Sequence, residues 1–312
     1  MIDKTKNIVE AIEDKEIKRY EIPHRLTNVV RRLTKFFSKN RSLVTCVGNI
    51  GAGKSSLVKV LAFNTGMNAL FELPDEGFED HFVHSETLFS PILETAKQTA
   101  KRTLGRYYGA INEFIECQGK HAVESAAWML AKGSLEKGAL DIQHAYLDLR
   151  KMQLQVATHF DNSTCLDGSS LADRFAFCEV LHNDMDVPYL TKEALEIIDK
   201  RLENEFKELA RPSLLIYVQG PDEYLLQNIR ERSRGEEKNA LSTGNDLPEG
   251  LVRLVRALNY RYNKFIDILR ETSWYTGPVL RVDVSKIDFI SNVRHLIAVY
   301  EGIERLLCPR EN

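Results

Sequence analysis

The sequence predicts an α/β fold: a three-layer α/β/α arrangement around a five-stranded parallel sheet, with a phosphate-binding loop (P-loop) after its first strand. Two observations carry this prediction. Five short, apolar, β-branched runs alternate with long segments of helical periodicity, the pattern of strands joined by crossover helices. Between the first such run and the helical segment that follows, residues 48–55 read GNIGAGKS and match GxxxxGK[ST] in full.

Residues 3–20 are rich in Lys and Glu at helix-compatible spacing, and Pro23 interrupts them. Leu26, Val29, Val30, Leu33, Phe36 and Phe37 then recur at periods of three and four, so residues 1–40 read as a helical N-terminal extension. The strand runs are Ser42–Val47, Ala69–Glu72, Ser163–Leu166, Ser213–Val218 and Val279–Val284; each is too short for a helix and lacks the alternation of a half-exposed strand. Helical patterns cover Ser55–Phe63, Ile92–Gln118, Ala122–Lys132, Leu140–His159, Lys192–Leu209, Glu223–Arg234, Glu249–Glu271 and Ile287–Leu307. The polar stretch Gly235–Gly250 reads as a mobile loop. No linker divides the rest, so residues 41–312 are expected to form one domain.

Composition narrows the function. The 45 acidic and 42 basic side chains give a formal charge of −3, too small for a general electrostatic grip on a nucleic acid polymer. The first twenty residues hold no apolar signal core, and no uninterrupted apolar run of about 18 residues is present, so neither secretion nor a membrane span is expected. The cysteines (Cys46, Cys117, Cys165, Cys178 and Cys308) are odd in number and form no CxxC pair, which fits a reducing, cytoplasmic setting. His81 and His84 have zinc-like spacing but no second ligand pair, so no metal is expected there.

The loop Gly48, Asn49, Ile50, Gly51, Ala52, Gly53, Lys54, Ser55, Ser56 is the expected nucleotide site. Its glycines let successive amides turn toward phosphate oxygens, and the helix behind adds its positive end. Lys54 is placed to neutralise β/γ-phosphate charge and Ser55 to ligate Mg²⁺. Transfer of the phosphoryl then needs a base for the acceptor, a carboxylate near the metal and cations over the moving group. Glu72 ends the second strand run and Asp167 the third, at the carboxyl edge where open α/β sheets bind ligands. Arg230, Arg232 and Arg234 crowd the end of a helical segment and the start of the polar loop, as a phosphate-closing lid would.

Five segments in order, GNIGAGKSSL, FELPDEGFED, IQHAYLDLRKMQ, LDGSSLADRF and IRERSRGEE, resemble the deoxynucleoside kinases from about Leu43 to Val284. The resemblance implies ATP as donor, Mg²⁺, a deoxynucleoside acceptor and a homodimer, and it marks residues 85–140 as a helical insertion, since relatives are much shorter there. By the same resemblance Glu72 takes the place of the carboxylate that activates the 5′-hydroxyl, Gln143 that of the glutamine on the base edge, and Arg150 that of the arginine beside it. Asp173 falls where members that prefer purines or cytosine hold a carboxylate against an exocyclic amine. Asp167 matches the acidic residue near the metal, Arg232 and Arg234 match lid arginines, and Glu237 matches a contact to the sugar 3′-hydroxyl. Chemistry agrees at Asp173: a carboxylate accepts from an amino group, whereas thymine presents a carbonyl.

Three positions depart from the family pattern, the first being Leu73, which intervenes between Glu72 and Pro74 where many relatives have Pro directly after the Glu. The acidic-Arg-Ser triplet reads Asp167-Gly168-Ser169, and Asn228 stands where the first lid arginine is expected. The leading expectation is 5′-phosphorylation of a deoxynucleoside whose base carries an exocyclic amine. The alternatives are a nucleotide-binding subunit with weak or no turnover, which Gly168 motivates, and a nucleoside monophosphate kinase. Within the insertion, Tyr107, Tyr108, Ile111, Phe114 and Ile115 form a helical stripe expected to pack as core on the main domain or against a second subunit, and Trp128 and Met129 on the next helix are expected to be core.

Overall fold

The computed structural model describes residues 9–12, 21–72, 80–82, 90–207, 209, 211–232, 247 and 249–308. Its strands are β1 (Val9–Ala11), β2 (Leu43–Gly48), β3 (Asn68–Leu70), β4 (Thr164–Asp167), β5 (Leu214–Gln219) and β6 (Val279–Asp283). They form one sheet in the order β1-β6-β5-β2-β4-β3, with every pairing parallel. The five expected strands are therefore present, and β1 adds a sixth at the edge. The Lys/Glu-rich N-terminal stretch, read as helical, contributes this strand instead, because Val9–Ala11 finds the open edge of β6 to pair with.

Strand periodicity builds the three layers. Leu43 and Val47 of β2 and Leu215 and Tyr217 of β5 point to one buried cluster. Val44 and Cys46 of β2, and Leu214, Ile216 and Val218 of β5, point to the other. The first face is covered by α3 (Ser90–Lys120), α4 (Ala126–His159), α6 (Lys192–Phe206) and α8 (Glu249–Glu271). The second is covered by α1 (Ile22–Phe37), α2 (Lys54–Thr65), α7 (Asp222–Arg232) and α9 (Val293–Leu307). The α1 stripe buries Val29, Leu33 and Phe37, and a two-pronged bond from Arg25 to Glu301 at 2.6 and 2.8 Å ties it to α9.

Helices α3 and α4, of 31 and 34 residues, make a long antiparallel hairpin across the insertion. Two helices were expected over the span of α4, yet it runs unbroken through Gly133 and Gly138. Each glycine costs a helix about 1 kcal/mol, but at Gly138 the missing side chain has a use: a Cβ there would lie 3.3 Å from the Tyr107 ring. Close packing of α3 on α4 overrides the local propensity. Tyr107, Phe114 and Trp128 are buried in this seam, with the Phe114 and Trp128 rings 5.8 Å apart. Tyr108, Ile115 and Met129 correct the core expectation: they face outward, since a two-helix hairpin can bury only one side of each stripe.

After β4 the chain makes a short helix α5 (Ser170–Ala172) that widens into π-helical turns Asp173–Cys178 and Val180–Asp184. Wide turns of this kind re-aim side chains and recur at functional sites. Asp173 starts the first of them. No helix among the described residues is long and apolar enough to cross a membrane.

Candidate active site

The phosphate loop joins β2 to α2 as the sequence expected. Gly48 is required by close approach: a Cβ would fall 2.0 Å from the Val218 carbonyl oxygen on β5. Asn49 braces the loop from within. Its Nδ2 donates to Val255 O at 2.7 Å, and its Oδ1 accepts from the Ile50 amide at 2.7 Å. Lys54 Nζ donates to Asn49 O at 2.9 Å across the mouth of the loop. From α7, Asn228 Nδ2 donates to Gly51 O at 2.9 Å. The residue expected to be a lid arginine thus clamps the loop backbone. A cleft of about 310 Å³ adjoins the loop, lined by Gly53, Ser55, Ser56, Asn228, Asp288 and Phe289 among others.

Asp167, at the end of β4, sits behind the start of α2. Ser55 Oγ donates to its Oδ2 at 2.6 Å, while its Oδ1 is buried without a hydrogen-bond partner among the described residues. Burial pushes the Asp167 carboxyl above the ordinary range, and the Lys54 charge pulls it back. A hydroxyl, an anionic carboxylate and one unspent buried oxygen make a donor set suited to a hard divalent cation that also takes phosphate and water oxygens. Among the described residues there is no group of three His, Cys, Asp or Glu side chains that would hold a metal alone.

Beside this lies a buried ionic cluster centred on Arg150 of α4. Its Nε donates to Asp173 Oδ2 at 3.0 Å, its Nη2 lies 3.0 Å from Glu72 Oε2, and its Nη1 donates to Asp167 O at 2.7 Å and to Gln153 Oε1 at 3.1 Å. The Arg150 side chain is only 3% exposed, against 30% for Glu72. Glu72 therefore reaches the opening of the site while its partner stays sealed. Burial pushes the Asp173 carboxyl up to about 6, against the opposing pull of Arg150. The Lys54 charge acts on both Asp167 and Asp173, so the loop and the carboxylates share one electrostatic site. The Tyr146 and Tyr262 hydroxyls lie in the same field, each raised by burial and by Glu72 and Asp173.

Gln143 is buried about two turns before Arg150 on α4, and its Oε1 accepts from the Cys178 thiol at 3.3 Å. That leaves its amide NH₂ without a partner among the described residues. Glu72, Gln143, Arg150, Asp167, Asp173, Lys54 and Ser55 are thus gathered at the carboxyl end of the sheet. Arg230 is exposed and Arg232 ends α7. Arg234 and Glu237, with most of the Gly235–Gly250 stretch and His84, lie outside the described residues.

Two contributors escaped the sequence reading. Gln153, fully buried, donates from Nε2 to Phe71 O at 2.9 Å and so links Arg150 to the chain just before Glu72. The spacing Gln143, Arg150, Gln153 puts all three on one face of α4, a polar row inside an apolar helix face, and that row was the available signal. Asp80 accepts from the Phe71 amide at 2.9 Å and from buried Lys97 of α3 at 2.5 Å. This pair ties the insertion to the same strand end. No local pattern marks it, because its members are far apart in sequence and on different elements.

A family model described as deoxynucleoside kinase matches residues 44–308. No curated protein sequence matches the chain. Among solved structures, the deoxyadenosine kinase from M. mycoides with bound dATP aligns with a TM-score of 0.50 at 16% identity, over 83% of this chain and 99% of that one. The same enzyme with its products dCMP and a flexible dCDP bound aligns with a TM-score of 0.50 at 17% identity, over 84% and 98%. At such identity the likeness is one of fold, and the family model carries the assignment. Since that match spans most of its length, the chain belongs to the deoxynucleoside kinase family and is a deoxynucleoside kinase-like phosphotransferase.

Proposed function

We propose that the chain transfers the terminal phosphoryl of ATP to the 5′-hydroxyl of a deoxynucleoside, with preference for a base that carries an exocyclic amine. The observation that carries this reading is the chain of contacts from Ser55 of the loop through Asp167 to Arg150, Glu72 and Asp173. It sets a phosphate-binding loop and a partly exposed carboxylate at the two ends of one short path.

In this reading the loop amides and Lys54 hold the β- and γ-phosphates. Ser55 and Asp167 hold Mg²⁺, which when bound offsets charge on the phosphate oxygens. Glu72 accepts the proton of the 5′-hydroxyl as the new O–P bond forms and the bond from the γ-phosphorus to the β,γ-bridging oxygen breaks, leaving ADP. At the other end of the acceptor, Asp173 accepts from the exocyclic amine and the unspent Gln143 amide donates to the neighbouring ring nitrogen. Arg232 and Arg234 close over the moving phosphoryl, and Glu237 receives the sugar 3′-hydroxyl. The M. mycoides enzyme, named for deoxyadenosine and solved with cytosine nucleotides, acts on bases of the same class.

The test is a coupled ADP-release assay with four deoxynucleosides, with product masses. Turnover with deoxyadenosine, deoxyguanosine or deoxycytidine above thymidine is expected, giving monophosphates. Glu72→Gln should lower kcat by about 10²- to 10⁴-fold with nucleoside binding retained. Binding of ATP with no turnover would favour the silent subunit, and diphosphate formed from an added deoxynucleoside monophosphate, with none of the nucleosides consumed, the monophosphate kinase.

A further inference from the structure

Gly168 is held in a left-handed conformation, φ +93°, with its amide donating to Cys46 O on β2 at 2.9 Å. A Cβ at this position would lie 2.2 Å from Arg150 Nη2, 2.7 Å from Cζ and 2.8 Å from Nη1. The guanidinium therefore occupies the space a side chain at 168 would start in. The backbone beneath is pinned to the sheet and cannot retreat. An arginine at 168, which the family triplet leads one to expect, and the guanidinium of Arg150 in its present place exclude each other.

The contacts of Arg150 show what the exchange achieves. Asp173, Gln153 and the Asp167 carbonyl take the Nε and Nη1 donors. Nη2 meets Glu72, and its second N–H has no partner among the described residues. A rigid fork held on three sides keeps that N–H beside the carboxylate. An oxygen losing its proton to Glu72 would come close to the same Nη2, which lies 3.0 Å from the carboxylate. A fixed cation there stabilises charge as it develops and needs no rearrangement.

We propose that Arg150 supplies the catalytic positive charge beside Glu72, that Gly168 is glycine to make room for it, and that Arg150 does not read the base. This rests on the phosphotransferase reading above.

A double-mutant cycle on the full chain tests it, with kcat, KM for each of four deoxynucleosides, and melting temperature as readouts. Arg150→Ala should lower kcat by about 10²-fold or more for every nucleoside. Gly168→Ala, by expelling the guanidinium, should lower kcat in the same way. The double variant should lie within about threefold of Arg150→Ala, because both changes remove one interaction. Added guanidinium, well below denaturing concentration, should recover about tenfold of the lost turnover in Arg150→Ala and nothing in the parent. Should Arg150→Ala not fold, Arg150→Lys keeps the charge without the fork and is expected to fall between the two. Near-parental kcat with raised KM or altered base ranking in Arg150→Ala, or full activity in Gly168→Ala, overturns this proposal alone. No turnover by the parent with any nucleoside overturns the functional reading and this proposal with it.

Discussion

Ser55 Oγ donates to Asp167 Oδ2 over 2.6 Å, joining the first turn of α2 to the end of β4 and leaving Asp167 Oδ1 buried and unspent. The remaining oxygen is suited to a positive charge that neither residue provides. Asp167→Asn should raise the Mg²⁺ concentration needed for half-maximal turnover by about tenfold or more, and Ser55→Ala by less, since the carboxylate carries the charge. A Mg²⁺ titration of activity measures this. An unchanged midpoint in Asp167→Asn would remove the residue from the metal site.

Gln153 has no contact with solvent and satisfies Phe71 O and Arg150 Nη1 at once. Gln153→Leu removes a donor to Phe71 O and one of the two acceptors of Arg150 Nη1, a loss of about 1–3 kcal/mol for each buried bond. Denaturant unfolding should show that loss without a change in m-value. Turnover should fall as well, because Glu72 follows directly after Phe71. A variant as stable as the parent would show that water or a shifted side chain fills the role.

Asp173 gives a pH dependence of definite sign. Its folded-state carboxyl is pushed up to about 6 by burial, above the ordinary value of 3.8. The folded state therefore binds the proton more tightly than the unfolded chain. The stabilisation this gives is complete below pH about 3.8 and is lost as pH rises through about 6. Relative to the parent, Asp173→Asn should gain stability between pH 4.5 and 7. Chemical denaturation of both proteins across that range measures the difference. The opposite trend would mean that the Arg150 pair outweighs burial.

Two glycines with positive φ should respond very differently to alanine. At Gly48 a Cβ would sit 2.0 Å from Val218 O in the middle of the sheet, whereas at Gly66 nothing lies within 4 Å. Gly66→Ala should cost only the strain of a left-handed residue, about 1–2 kcal/mol. Gly48→Ala should displace the loop and abolish ATP binding, if it yields soluble protein at all. Thermal shift with and without ATP separates the two; equal losses would show that the loop tolerates a wider gap.

What was legible in the sequence is what repeats or is contiguous. The phosphate loop was readable because its glycines, lysine and serine are consecutive and each has one job. The five expected strands were readable because a strand buried on both faces must be apolar throughout. Gln143, Arg150 and Asp173 could be named from the family resemblance, and Glu72 and Asp167 from their places at strand ends. The edge strand Val9–Ala11 was not, since a three-residue strand takes its stability from the neighbour it pairs with, and Lys/Glu-rich flanks read as helix. The single helix α4 was not, because contact between Gly138 and Tyr107 outweighs glycine's propensity.

By itself the sequence determined the layered α/β class, the loop that takes phosphate and the short set of residues around it. The tertiary structure decided how those residues divide the work. Gly168 reads in isolation as a lost arginine; in space it is the floor on which the Arg150 guanidinium lies, and Asn228 is a clamp on Gly51. Such roles depend on which side chains from distant elements arrive within about 3 Å of one another, where hydrogen bonds and buried charges act. One-dimensional spacing does not encode that distance. Packing of α4, α5 and α7 against the carboxyl ends of the strands does.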